Sequence, residues 1–223
     1  MPSLTFPVFD VPSNGTEARA IQNALRTQVR IEDAFKKIDI IAGVDVGYDT
    51  KRGLAHASIV TMHIADLKPL EQVEAYVPVD FPYISGLLSF REIPAILAAI
   101  SKLKSVPDLL MVDGMGIAHP RRLGIAAHLG VILDMPSMGV GKSRLIGQFE
   151  QPGKEKGSYT PLMIGSEQVG VVLRSRDSVK PLFISPGHRV SIETALALTL
   201  RSLTRYRLPE PTRLADKCSK CTH

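Results

Sequence analysis

Two segments of the chain carry an apolar run straight into an aspartate: Ile40-Ile41-Ala42-Gly43-Val44-Asp45 and Leu109-Leu110-Met111-Val112-Asp113-Gly114. An ionised carboxylate beside a core is costly unless a cation or hydrogen-bond donors satisfy it. If both runs are strands lying side by side and parallel, both aspartates emerge at one end of the sheet, where ligands bind in open α/β folds. Two such carboxylates suit Mg2+, a hard cation that takes oxygen ligands and usually keeps waters and a substrate phosphate. A single strand-ending aspartate more often caps a turn, so the pairing carries the metal reading. Glu92, in Phe90-Arg91-Glu92, is a third acid near a helix start. Taken alone, it complements the helix dipole. Arg91 beside it is placed either to neutralise it or to reach a phosphate.

The elements that must position these groups follow from periodicity. Residues 1–13 hold Pro2, Pro7 and Pro12 among hydrophobes without a period, which predicts an irregular arm. Ala18, Ile21, Leu25 and Val29 fall at helical spacing from Thr16, with Glu17 in the first turn. Three strand-like runs follow at 39–46, 55–63 and 71–79, joined by short turn-rich segments, and they predict an antiparallel meander. Beyond it, helices at 90–104 and 122–133 alternate with strands at 109–112 and 135–140. That alternation predicts parallel strands added to the meander. A polar loop over 150–160, strands at 169–174 and 181–185, and a helix marked by Ile192, Leu196, Leu200 and Leu203 behind a Ser191 cap complete the reading. The expectation is one α/β domain spanning 1–223, with a mobile tail at 217–223.

Bulk composition bounds the function classes. Over 223 residues, Lys and Arg number 27 against 22 for Asp and Glu, a net charge of +5. That suits a polyanionic partner through phosphate contacts, but a merely soluble basic protein fits charge alone equally well. The two cysteines, Cys218 and Cys221, both lie near the end of the chain. They exclude a disulfide framework and point to a reducing cytoplasm. No apolar run reaches membrane-spanning length, and Met1 to Asp10 shows no secretory signal pattern. A monomer is expected.

Several blocks in order then carry a resemblance. DGMGIAHPRRLGIAAHLG from Asp113 to Gly130 resembles the central signature of the endonuclease V family, the deoxyinosine 3′ endonucleases. PYISGLLSFRE from Pro82 to Glu92 is similar to its second block. Ala42 to Val46, GVGKSRL from Gly139 to Leu145 and PEPTRLAD from Pro209 to Asp216 match the rest. The resemblance implies a ribonuclease H-like mixed sheet flanked by helices, in agreement with the pattern of elements. It implies that Asp45 and Asp113 bind catalytic Mg2+ (Mn2+ substituting), that Glu92 completes the acidic group, and that Asp216 stands where some members carry histidine. Lys142 is then the point charge that holds nucleophile or phosphate.

The implied reaction is hydrolysis of the second phosphodiester 3′ to a deoxyinosine, leaving 3′-hydroxyl and 5′-phosphate ends with the base still attached. Tyr83, in a block where Ser85 replaces the family's usual proline, is the implied wedge. Gly86, Leu88, Gly114, Gly124, Ile125 and Leu145 match the implied base pocket. Arg91 and Arg121 are expected DNA contacts, and His119 either orients a metal-bound water or contacts DNA, with a plain surface histidine as the equal alternative. An inosine-specific endoribonuclease and a catalytically silent nucleic-acid-binding module are the rival readings. Gly141-Lys142-Ser143 matches the end of a phosphate-binding loop, but Pro136 stands where that motif needs glycine, which excludes an NTPase site. Cys218, Cys221 and His223 offer three ligands where structural zinc takes four.

Overall fold

A computed structural model describes residues 9–220. Strands β1 (Ile40–Asp49), β2 (Leu54–His63) and β3 (Pro69–Pro78) form the antiparallel meander. β4 (Leu109–Asp113) pairs parallel to β1, and β5 (Ser137–Gly141) pairs parallel to β4. β6 (Tyr159–Ile164), β7 (Glu167–Leu173) and β8 (Leu182–His188) close the sheet as antiparallel neighbours, giving the order β3-β2-β1-β4-β5-β8-β7-β6. A meander extended by parallel strands is the ribonuclease H-like arrangement the sequence implies.

Helices cover both faces. α2 (Leu88–Ile100) and α3 (Ile125–Leu133) bury Ile93, Ile96 and Leu129 against Ala42, Val44, Leu110 and Val112. On the opposite face, α4 (Ile192–Arg201) and α5 (Glu210–Ser219) bring Ala195, Leu196 and Leu214 against Ile41, Leu109 and Met111. Successive strand residues point to opposite faces, so β1 and β4 read as continuous apolar runs because both of their faces are covered. The same parity sends Asp45 and Asp113 to the α5 face.

α1 (Gly15–Leu25) starts where Asn14 accepts the Thr16 and Glu17 amides at 2.9 and 3.0 Å. Some boundaries differ from the periodicity. α1 gives way to a 3-10 turn at Arg26–Gln28, so Val29 lies beyond it. α3 begins at Ile125 rather than Arg122, because Arg122 takes φ +56° and Gly124 is extended. β6 takes in residues 159 and 160 of the expected polar loop. Residues 217–219, expected in a mobile tail, form the last turn of α5. Cys221 and His223, and residues 1–8 of the expected arm, lie outside the described residues. No described helix is long and apolar enough to cross a membrane.

Candidate active site

Val44 pairs with Val112 in parallel register, so the next residues, Asp45 and Asp113, project side by side from one face of the sheet, with β1 running on past Asp45 to Asp49. The third acid arrives on α5. A Cβ at Gly43 would collide with the Pro211 carbonyl, and one at Gly47 with the Ser219 carbonyl. The two glycines therefore let α5 lie directly on the β1 backbone. That contact seats the Ser219 hydroxyl as a donor on Asp45 Oδ2 and delivers Asp216. One oxygen each from Asp45, Asp113 and Asp216 lies within 4.8 Å of the others.

Three carboxylates this close repel one another. Burial, followed by the charge of Asp45, pushes the Asp113 carboxyl up to about 7. The Lys142 ammonium, just past β5, contacts both Asp113 and Asp216. Burial works against that ammonium, but the charge and hydrogen bonds of Asp113 and Asp216 outweigh it and hold the Lys142 pKa above the ordinary lysine value. Lys220 adds bonds of 2.8 and 2.7 Å to the two Asp216 oxygens. Asp113 Oδ2 is buried and meets the Lys142 ammonium. An all-oxygen set of three carboxylates this close fits a hard divalent cation.

Glu92 stands outside this set. It projects from α2, on the face opposite α5, and accepts the Tyr48 hydroxyl at 2.8 Å. Burial, then the charges of Asp45 and Asp113, raise its carboxyl to about 8 against the lowering bond from Tyr48. It shares the field of the cluster but not its mutual spacing. Among the described residues Arg91 forms no salt bridge with Glu92. It donates to the Phe81 carbonyl at 2.8 Å and lies 4.8 Å over the Tyr48 ring.

Beside the cluster opens a cavity of about 340 Å³. Gly86, Leu88, Gly114, Gly124, Ile125 and Leu145 all line it, as do Asp113 and Lys142. Gly114 has φ +152°, and a Cβ there would stand 2.6 Å from Ile125 Cγ2, so the wall admits only glycine at that point. Tyr83 also lines the cavity and is 73% exposed. The ring is held out of the core.

His119 lines the cavity too, yet its ring nitrogens are both engaged by the protein. Nδ1 accepts the Arg121 amide at 3.2 Å, which leaves Nε2–H to donate to the Gly86 carbonyl at 3.0 Å. Burial, followed by the charge of Arg121, pushes the imidazole down to about 4, so it is neutral near pH 7. The Arg121 guanidinium donates to the same carbonyl at 2.7 Å. Both residues thus brace the cavity wall.

Sequence reasoning misses Ser219, Tyr48 and Lys220. The spacing Gly43-x-Asp45-x-Gly47 places two glycines on the aspartate's own face, and that pattern is a legible signal of something crossing the strand closely.

Acidic oxygens on neighbouring parallel strands, beside a cavity on a basic chain, define the class: a mixed-sheet α/β protein with an acidic centre. Residues 23–217 match the family model for endonuclease V. Endonuclease V of Nostoc punctiforme is 51% identical over 207 residues, covering 92% of this chain and 94% of the relative. The crystal structure of endonuclease V from Streptomyces avermitilis superposes with a TM-score of 0.89 at 42% identity, over 94% of this chain and 93% of that one. Ciona intestinalis endonuclease V, in complex with a 24mer DNA containing an inosine followed by a ribo-adenosine, gives 0.80 at 28% identity, covering 92% and 95%. The chain belongs to the endonuclease V family of nucleases.

Proposed function

We propose that this chain is a Mg2+-dependent DNA repair endonuclease that recognises deoxyinosine and hydrolyses the second phosphodiester 3′ to it. The observation that carries the reading is the sharing of Asp113 and Lys142 between the acidic cluster and the cavity wall. A base held in the cavity brings its own strand past the carboxylates. Hypoxanthine pairs imperfectly, so its nucleotide is cheaper to extrude than a normal one, and the exposed Tyr83 is placed to fill the vacated space. Glycine-lined walls let a flat ring meet backbone groups closely.

Bound among Asp45, Asp113 and Asp216, Mg2+ would supply Lewis-acid chemistry at the phosphorus. Lys142 offers a positive charge to the phosphate, and Glu92, oriented by Tyr48, completes the acidic group from the α2 side. Ser219 fixes the rotamer of Asp45. The products are 3′-hydroxyl and 5′-phosphate ends, with the base retained. We read the enzyme as a cytoplasmic monomer in which Mn2+ substitutes for Mg2+.

Action on inosine in RNA is the second reading, favoured by the ribo-adenosine beside the inosine in the DNA bound to the Ciona protein. Matched DNA and RNA oligonucleotides bearing one inosine, incubated with Mg2+ and with chelator, separate the two. Nicking of the DNA strand that disappears in chelator and in Asp45→Ala is the expected result. Exclusive cutting of the RNA would replace the first reading with the second, and binding without any cutting would favour a silent module.

A further inference from the structure

The cavity is lined by segments far apart in the chain, among them Gly86 and Leu123-Gly124, and the Gln22 side chain joins these two. Gln22, on α1 and 1% exposed, donates from Nε2 to the Gly86 carbonyl at 3.1 Å and to the Leu123 carbonyl at 3.3 Å. Its Oε1 accepts from Arg121 Nε. Arg121 and His119 donate to the Gly86 carbonyl as well, so three donors converge on one oxygen that has two lone pairs. Gly86 itself sits at φ +78°, in a turn whose left-handed backbone must be held by its surroundings.

We infer that Gln22 is a positioning residue for base recognition: by tying the Gly86 and Leu123 walls to one amide nitrogen it sets the width of the slot. The inference rests on the reading that this cavity holds the base. Gln22 lies outside every motif block the sequence displays, and a buried glutamine on an amphipathic helix would ordinarily read as a solvated face turned inward. Its geometry argues otherwise. A two-acceptor bridge between the Gly86 and Leu123 carbonyls fixes their separation, which a single bond to either would not do. A flat ring is accepted or refused according to that distance and to the backbone groups it brings within reach. Loss of the bridge frees the Gly86 turn to move relative to Gly124, so a slot matched to hypoxanthine admits adenine more nearly as well. Phosphate contacts elsewhere are untouched, so overall affinity for the strand persists.

The test compares the full-length chain with Gln22→Glu, Gln22→Met and Leu88→Trp. Glutamate keeps an acceptor for Arg121 while removing the donor to both walls; methionine removes donor and acceptor at similar volume; tryptophan fills the slot. Affinities for duplexes with inosine or adenine at one position are read by fluorescence anisotropy in Ca2+, alongside thermal midpoints. The inosine-to-adenine affinity ratio is expected to fall about tenfold in both Gln22 variants, the scale of one or two lost hydrogen bonds, with adenine affinity within about twofold of the parent. An unfolded fraction lowers both affinities equally and leaves the ratio alone, so a parallel loss on both duplexes would overturn the proposal. So would an unchanged ratio in the Gln22 variants while Leu88→Trp collapses it, and the base-pocket reading would then survive. An unchanged ratio in Leu88→Trp would remove the base-pocket reading and this inference with it.

Discussion

At the scale of single residues, the site is a problem of charge brought under control. Asp113 carries a raised pKa because burial and Asp45 oppose its ionisation, and the Lys142 ammonium sits where positive charge is needed. Removing Asp113 leaves the cluster one oxygen ligand short and Lys142 with one carboxylate fewer. Asp113→Ala is therefore expected to lower kcat by at least about a thousandfold, the scale of losing an electrostatic catalytic group, while anisotropy shows DNA affinity within several-fold of the parent. Loss of cutting and binding together would contradict this. Tyr83 belongs to a different step. In the proposed reaction its exposed ring holds the lesion out of the stack, so Tyr83→Ala should reduce the preference for inosine over adenine about tenfold, as stacking contributions suggest, without changing metal affinity in a Mn2+ titration. An unaltered preference would rule out the wedge role.

The acids at strand ends are legible because apolar runs that stop at a carboxylate stand out in sequence. The third acid of the cluster is less legible. Glu92 competes for that place in the sequence, but it sits on α2, across the sheet from Asp45, whereas an Asp216 oxygen lies within 4.8 Å of oxygens of Asp45 and Asp113. Nothing local in the His-Pro-Arg run shows that the Gly86 carbonyl folds back to meet His119 and Arg121.

At the scale of elements, β1 and α5 make the site together. α5 escapes periodicity because Pro209-Glu210-Pro211 reads as a breaker, although proline in the first turn of a helix loses no intrahelical bond. β6 escapes for another reason: Tyr159-Thr160-Pro161 alternate exposed and half-exposed at a sheet edge, where a polar stretch passes for a loop. The meander, β4 and β5 are legible because their runs are apolar and their turns short. The close crossing of α5 over β1 makes a prediction of its own. Gly47→Val places a side chain against the Ser219 carbonyl and must push the end of α5 outward, an overpacking cost of about 1–3 kcal/mol. Cleavage should drop at least about tenfold, and Gly47→Val combined with Asp216→Ala should lose little more than Asp216→Ala alone, because both act through one carboxylate. Additive losses in that cycle would separate the helix from the site.

At the scale of the whole molecule, stability and function are coupled through buried polar groups. His128 is fully buried, donates or accepts at the Ser89 hydroxyl at 2.9 Å, and meets the Phe90 ring edge-on. Burial, with a smaller push from His119, lowers its pKa to about 3. The unfolded chain takes up a proton near pH 6.5 that the folded chain refuses, so this group costs stability progressively as pH falls from 6.5 toward 3. Asp113 and Glu92, with raised values, act in the opposite direction over the acid range, so the effect is read as a difference. Urea unfolding of His128→Leu against the parent should shift in the variant's favour by about 1.4 kcal/mol per pH unit below 6.5. Parallel pH dependences would show that the imidazole protonates without penalty in the folded state.

The account depends on oxygens from Asp45 on β1, Asp113 on β4 and Asp216 on α5 sharing one divalent ion. Crystals soaked in Mn2+ and measured at the manganese absorption edge test this directly. We predict an anomalous peak among those three carboxylates, within about 2.5 Å of oxygens from at least two of them, with Lys142 displaced from Asp113. A strong peak elsewhere, or an empty cluster at millimolar Mn2+, would contradict it.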